Sequence, residues 1–167
     1  MHAWPHPPSK WVAANCDGSI RDNLRGYDTI GRDASGQALF AVAGATPDGS
    51  ILRMELLAMK CGLLKARDLN ITHVQVRSDS TMVVQLVLGT YQTPWHSISL
   101  VEDIQELQRC FRGCVFQHHV RETNSCADIL VGFVFNCQEL NLCVNRLPAA
   151  LSNLLRNDAT GKKYYRL

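Results

Sequence analysis

Three short apolar runs joined by tight turns, then one long helical pattern, limit what this chain can fold into. Lys10 to Cys16 is apolar and is followed by Asp17-Gly18-Ser19, which reads as a turn. Gly26 to Asp33 and Gln37 to Gly44 follow, separated by Ala34-Ser35-Gly36. Strand-like runs with such short connections pair as an antiparallel meander. From Ile51 to Asp68 the period changes. Leu52, Leu56, Met59, Leu63 and Ala66 recur at three- and four-residue steps, the mark of an amphipathic helix. Ser50 or Asp48 is placed to cap it. Thr72 to Arg77 alternates as a fourth strand, and Ser80 to Leu88 is a short helix ended by Gly89. Tyr91 to His96 reads as a loop, Ser97 to Cys110 as a longer helix and Cys114 to Val120 as a fifth strand. Asn124 to Cys137 is a helix with Asn124 as its cap. The strand–helix–strand portions need crossover connections, so the expected class is α/β, a mixed sheet covered by helices.

The chain divides into an extended Pro-rich linker over 1–9, a domain over 10–137 and a basic tail over 138–167. The tail carries a short amphipathic segment from Pro148 to Arg156. Hydrophobic residues make up 46% of the chain and charged residues 19%, a globular composition that excludes disorder. No apolar run approaches the ~20 residues that span a bilayer. Met1 to Lys10 lacks the apolar core of a secretory signal. The expectation is an intracellular, monomeric protein. Its net charge is +2, with +4 on residues 144–167 and −2 on the remainder, so a strongly basic nucleic-acid face is not evident. Seven cysteines without a signal peptide read as reduced thiols. Cys110 and Cys114 lack the second pair that a zinc site needs, and core packing explains them better.

Four carboxylates stand where a plain structural role is slightly strained: Asp17, Glu55, Asp79 and Asp128. Each has a bland alternative. Asp17 suits a turn, Asp79 an N-cap, and Asp128 the first turn of a helix, where the dipole favours negative charge. Glu55 shares a helix face with Leu52, Ala58, Met59 and Gly62, where a carboxylate is costly without a partner. Arg53 or Arg77 could supply that partner in a structural ion pair. Taken jointly, the four could open at one edge of the sheet. Clustered carboxylates invite hard divalent cations, and two such cations suit in-line displacement at phosphorus.

The motifs resemble a known family. Trp11-Val-Ala-Ala-Asn-Cys-Asp17-Gly-Ser19, Met54-Glu55-Leu-Leu-Ala58-Met, Val76-Arg-Ser-Asp79-Ser80 and His119-Val-Arg121-Glu-Thr-Asn124-Ser-Cys-Ala127-Asp128 are similar, in order, to the plant ribonuclease H-like domains of retroelement-derived, reverse transcriptase-like proteins. The resemblance covers roughly Trp4 to Phe133. It implies a mixed five-stranded sheet, a three-strand antiparallel meander plus two parallel strands, flanked by helices. It implies a metal-dependent endoribonuclease that cleaves the RNA strand of RNA–DNA hybrids with two Mg²⁺ or Mn²⁺ ions. Asp17, Glu55, Asp79 and Asp128 would be the catalytic metal ligands. Either His118 or His119 would lie near them, with His119 the catalytic candidate. Gly18, Ser19, Ser80 and Asn124 would line the nucleic acid.

The chain also departs from the pattern. Asp28 replaces the second glycine of a Gly-x-Gly step on the second strand, where a carboxylate would repel an approaching phosphate. Ala13 stands where a lysine is common, and the Gly89–Ser97 connection is too short for a basic protrusion. The alternative reading is therefore a catalytically weak or inactive nucleic-acid-binding or interaction module on the same fold.

Overall fold

The computed structural model describes residues 1–121, 139–142 and 147–164. The expected helix from Asn124 to Cys137, and with it Asp128 and Asn124, lies outside these residues. In chain order the elements are strand β1 (His2–Ala3), β2 (Val12–Arg21), β3 (Leu24–Arg32), β4 (Ala38–Thr46) and helix α1 (Ile51–Asp68). Strand β5 (His73–Ser78), helix α2 (Thr81–Val87), a 3₁₀ turn (Trp95–Ser97), helix α3 (Ile98–Gln108) and strand β6 (Gly113–His118) follow. Strand β7 (Glu139–Leu142), helix α4 (Ala149–Ala159) and strand β8 (Lys163–Tyr164) complete the order.

The five expected strands are present in the expected arrangement. β2, β3 and β4 form the antiparallel meander, and β5 and β6 add in parallel on the β2 side. A sixth strand joins them: β7 pairs antiparallel with β4, giving the order β6-β5-β2-β3-β4-β7. β7 arises in the stretch read from sequence as a tail. β1 and β8 pair separately.

β2 is longer than its apolar run. It continues through Asp17-Gly18-Ser19 to Arg21, and the turn falls at Asp22 and Asn23, with φ of 47° and 65°. Two consecutive left-handed residues, an Asp and an Asn, make the two-residue hairpin whose twist matches its strands. The next hairpin forms where expected. The Asp33 carboxylate accepts from the Ser35 and Gln37 amides at 2.9 and 3.0 Å.

α1 starts at the expected cap, where Ser50 Oγ accepts from the Arg53 amide at 3.2 Å. Its apolar face covers one side of the sheet, packing Met54, Leu56, Met59 and Leu63 against Ala14, Cys16 and Val76. The opposite side is covered by α4. There Ile30 and Ala41 pack on Leu151 and Leu155. Beside this small cluster, Arg32 donates to Asp158 at 2.6 Å, with side chains 0% and 3% exposed. The stretch 1–9, read as a linker, is extended but anchored: Trp4 within it is 1% exposed.

Candidate active site

The parallel register of β2 and β5 ends at Asn15 opposite Arg77. Two residues further along the chain stand Asp17, still on β2, and Asp79, just past the end of β5 at Ser78. The parallel pairing brings the ends of β2 and β5 together, and with them these two acids. α1 supplies the third acid. Glu55 falls on the first turns after the Ser50 cap, on the side packed against β2. One oxygen from each of Asp17, Glu55 and Asp79 lies within 4.8 Å of the others. Asp17 and Glu55 are each 6% exposed, and Asp79 is half-buried.

Gly18 allows this approach. A Cβ at Gly18 would lie 2.6 Å from the Glu55 amide nitrogen and 2.8 Å from the Met54 carbonyl carbon. Helix backbone cannot yield to such a contact. Gly18 is therefore in the sequence for the contact with α1, although Asp-Gly-Ser is also a turn signature.

Asp79 is not the cap of α2, because Ser80 Oγ accepts from the Val83 amide at 3.4 Å. Glu55 accepts from Ser78 Oγ at 3.3 Å. Arg77, one candidate partner for Glu55, instead donates to the Pro5 carbonyl at 2.6 Å and to Gln75 at 2.7 Å. Burial, and then the nearby Arg32, lower its pKa to about 10. Asp28 is fully buried, opposite Asp17 in the β2–β3 register. It does not face an approaching phosphate, which corrects the expectation for this position. Ser19 is half-exposed beyond the acids, and Gly18 is buried under α1.

The two histidines part at the end of β6. His118 is the Cα partner of Ser78, on the acid side, and its Nε2 donates to the Asp79 carbonyl at 3.2 Å. His119 is half-buried, with Nε2 3.4 Å from Gln117 Oε1. The contact of His118 with Asp79 was missed in the sequence, where the pair looks symmetric; strand parity relative to Ser78 was the available signal. Burial, then Arg77, then His118 lower the His119 pKa to about 4. The unfolded chain therefore takes up a proton near pH 6.5 that the fold refuses until about pH 4. The stability due to neutral His119 is complete above that window and is lost as pH falls through it. A His119→Gln variant should flatten this part of the stability–pH curve. Equal slopes in denaturant titrations from pH 7 to pH 4 would refute the assignment.

All donors in the cluster are carboxylate oxygens, which fit a hard divalent cation such as Mg²⁺ or Mn²⁺. The buried thiol of Cys16 does not compete. Burial first, and then the nearby Asp28, Glu55 and Asp17, raise its pKa and keep it protonated.

A family model described as reverse transcriptase-like matches residues 15–134. A protein of Arabidopsis thaliana with a provisional ribonuclease H name is 28% identical over 165 residues, covering 96% of this chain and 26% of its own length. The chain thus spans about a quarter of that relative. Among solved structures, RNase H1 of Halobacterium salinarum has a TM-score of 0.71 at 22% identity, covering 75% of this chain and 98% of its own. The N-terminal RNase H domain of a Mycobacterium tuberculosis protein has a TM-score of 0.70 at 25% identity, covering 75% and 94%. LC11-RNase H1, solved in complex with an RNA/DNA hybrid, has a TM-score of 0.69 at 22% identity, covering 75% and 96%.

Proposed function

The chain belongs to the reverse transcriptase-like family, and on that premise we propose that it is a ribonuclease H-type endonuclease cleaving the RNA strand of RNA–DNA hybrids. The observation that carries this reading is the convergence of Asp17, Glu55 and Asp79 within 4.8 Å on a ribonuclease H-like sheet. These three acids would hold Mg²⁺ or Mn²⁺. Asp128, outside the described residues, is proposed as the fourth ligand. Two such ions would supply an activated water and charge stabilisation for the leaving oxygen. The chain's own part is to orient. Ser78 fixes the Glu55 carboxylate, and His118 holds the Asp79 main chain through its carbonyl. His119 is proposed as the catalytic histidine; with its pKa lowered to about 4 it is neutral at neutral pH, so its part there would be to accept a proton. Ser19, half-exposed just past Asp17, and the Ser80 and Asn124 positions are proposed to contact the sugar–phosphate backbone, with Gly18 keeping the strand close beneath. RNA would be selected through its 2′-hydroxyls. The protein is proposed to act as a monomer.

Labelled RNA–DNA hybrid incubated with Mg²⁺, with Mn²⁺ and with chelator tests the reading. Cleavage of the RNA strand with metal and none in chelator is expected. A folded protein that binds hybrid but leaves it intact with either metal would instead be an interaction module.

A further inference from the structure

The sheet face turned away from α1 carries a buried polar arrangement centred on Trp4. The indole Nε1 donates to Asn15 Oδ1 at 3.1 Å. The Arg32 guanidinium lies 3.8 Å above the ring centroid, and the Arg77 guanidinium is 5.5 Å from it. The next residue continues the contact, because the Pro5 carbonyl accepts from Arg77 Nη1 at 2.6 Å. A large apolar plug would need none of these polar contacts.

Their placement is informative. Asn15 and Arg77 are the last Cα partners of the parallel β2–β5 ladder. Each stands two residues before an acid, Asn15 before Asp17 and Arg77 before Asp79, a step of ~6.6 Å along a strand. Beyond Asn15 and Arg77 no paired residues join the two strands. Between β2 and β5 this last rung is therefore the direct pairing nearest the acids, while Asp17 is also paired with Asp28 and Ser78 with His118. Trp4 and Pro5 hold this rung from one continuous segment, one residue on each strand. His6 Nδ1 lies 3.0 Å from the Ala34 carbonyl and anchors the segment on its far side.

We infer that Trp4-Pro5 is a positioning strap. It fixes the separation of the β2 and β5 ends, and through it the Asp17–Asp79 spacing needed to hold divalent cations. Mg²⁺ binds at 2.0–2.1 Å with near-ideal geometry, so small errors in spacing weaken it. The cation-binding half of the inference rests on the reading of the acids given above; the strand-spacing half does not.

The test compares Trp4→Phe, which keeps a ring on Arg32 but loses the N–H donor, with Trp4→Ala. Leu151→Ala, buried on the same face but away from the last rung, is the control for simple destabilisation. The first measurement is amide hydrogen exchange in chelator. Relative to the β3–β4 ladder, residues 15–17 and 77–79 should exchange roughly five- to tenfold faster in Trp4→Phe and unchanged in Leu151→Ala, the size expected from losing one buried hydrogen bond. The second is Mn²⁺ titration without nucleic acid, where Trp4→Phe should bind roughly tenfold more weakly and Leu151→Ala as the parent does. Wild-type local exchange in both Trp4 variants overturns the inference. So does faster exchange with unchanged Mn²⁺ affinity, or an equal loss in Leu151→Ala. A parent protein that binds no Mn²⁺ overturns the reading of the acids, and the exchange measurement still decides the strap's effect on the strands.

Discussion

Asp79→Asn should abolish Mg²⁺-dependent cleavage while leaving the metal-free protein as stable as before or more so. One ligand charge is removed from a cluster whose oxygens lie within 4.8 Å. Metal-ion charge stabilisation is worth several kcal/mol, so a rate loss of roughly 10³-fold, ~4 kcal/mol, is the expected scale. The stability half follows from two facts. Carboxylates brought together repel when no cation is bound, and removing one relieves the repulsion. The cap of α2 is Ser80, so the substitution takes no cap away. Thermal melts in chelator and cleavage rates in Mg²⁺ check both halves. A clearly lower melting temperature would show that Asp79 holds the fold together and would remove the basis for reading it as a ligand. Residual cleavage near the parent rate would have the same effect on the catalytic assignment.

Asp158→Ala should cost about 3–5 kcal/mol of stability, the scale for breaking a buried ion pair from one side. Arg32, 0% exposed in the parent, loses the Asp158 carboxylate and keeps its other contacts, Asn15 Oδ1 at 2.9 Å among them. For a domain of this size the melting temperature should fall on the order of 10 °C. The origin of the loss is the carboxylate removed from beside a buried guanidinium, because well-packed apolar residues often replace such pairs at no cost. The double variant Arg32→Met/Asp158→Leu should therefore recover most of the stability. A single variant within ~1 kcal/mol of the parent in denaturant melts would mean that α4 does not depend on this pair.

What could be read from sequence was local. The limits of α1, the Ser50 cap and the Asp33 hairpin follow from spacing and side-chain chemistry within a few residues. The placement of Glu55 on the face toward β2 was equally legible, because helical periodicity shows which way a residue points. The failures were all non-local. Asp17-Gly18-Ser19 looked like a turn, since nothing nearby announces that Gly18 must admit the backbone of α1. Asp28 looked like a substrate-facing residue because burial by another layer leaves no mark on one strand. Trp4 sat among prolines and read as linker, yet its contacts are with Asn15, Arg32 and Arg77. Arg32 and Asp158 lie 126 residues apart in the chain, beyond any spacing rule. β7 was hidden for a similar reason, since a short edge strand takes its partner from elsewhere.

The pairing of β1 with β8 has a consequence for how the domain can be joined to other polypeptide. His2 pairs with Tyr164 and Ala3 with Lys163, so these two segments lie within about one strand spacing, ~5 Å, of each other. A domain built this way can be spliced into a surface loop of a host protein as a pendant unit, because the host need open only a gap the width of a hairpin. It can also be relinked end to end and reopened elsewhere.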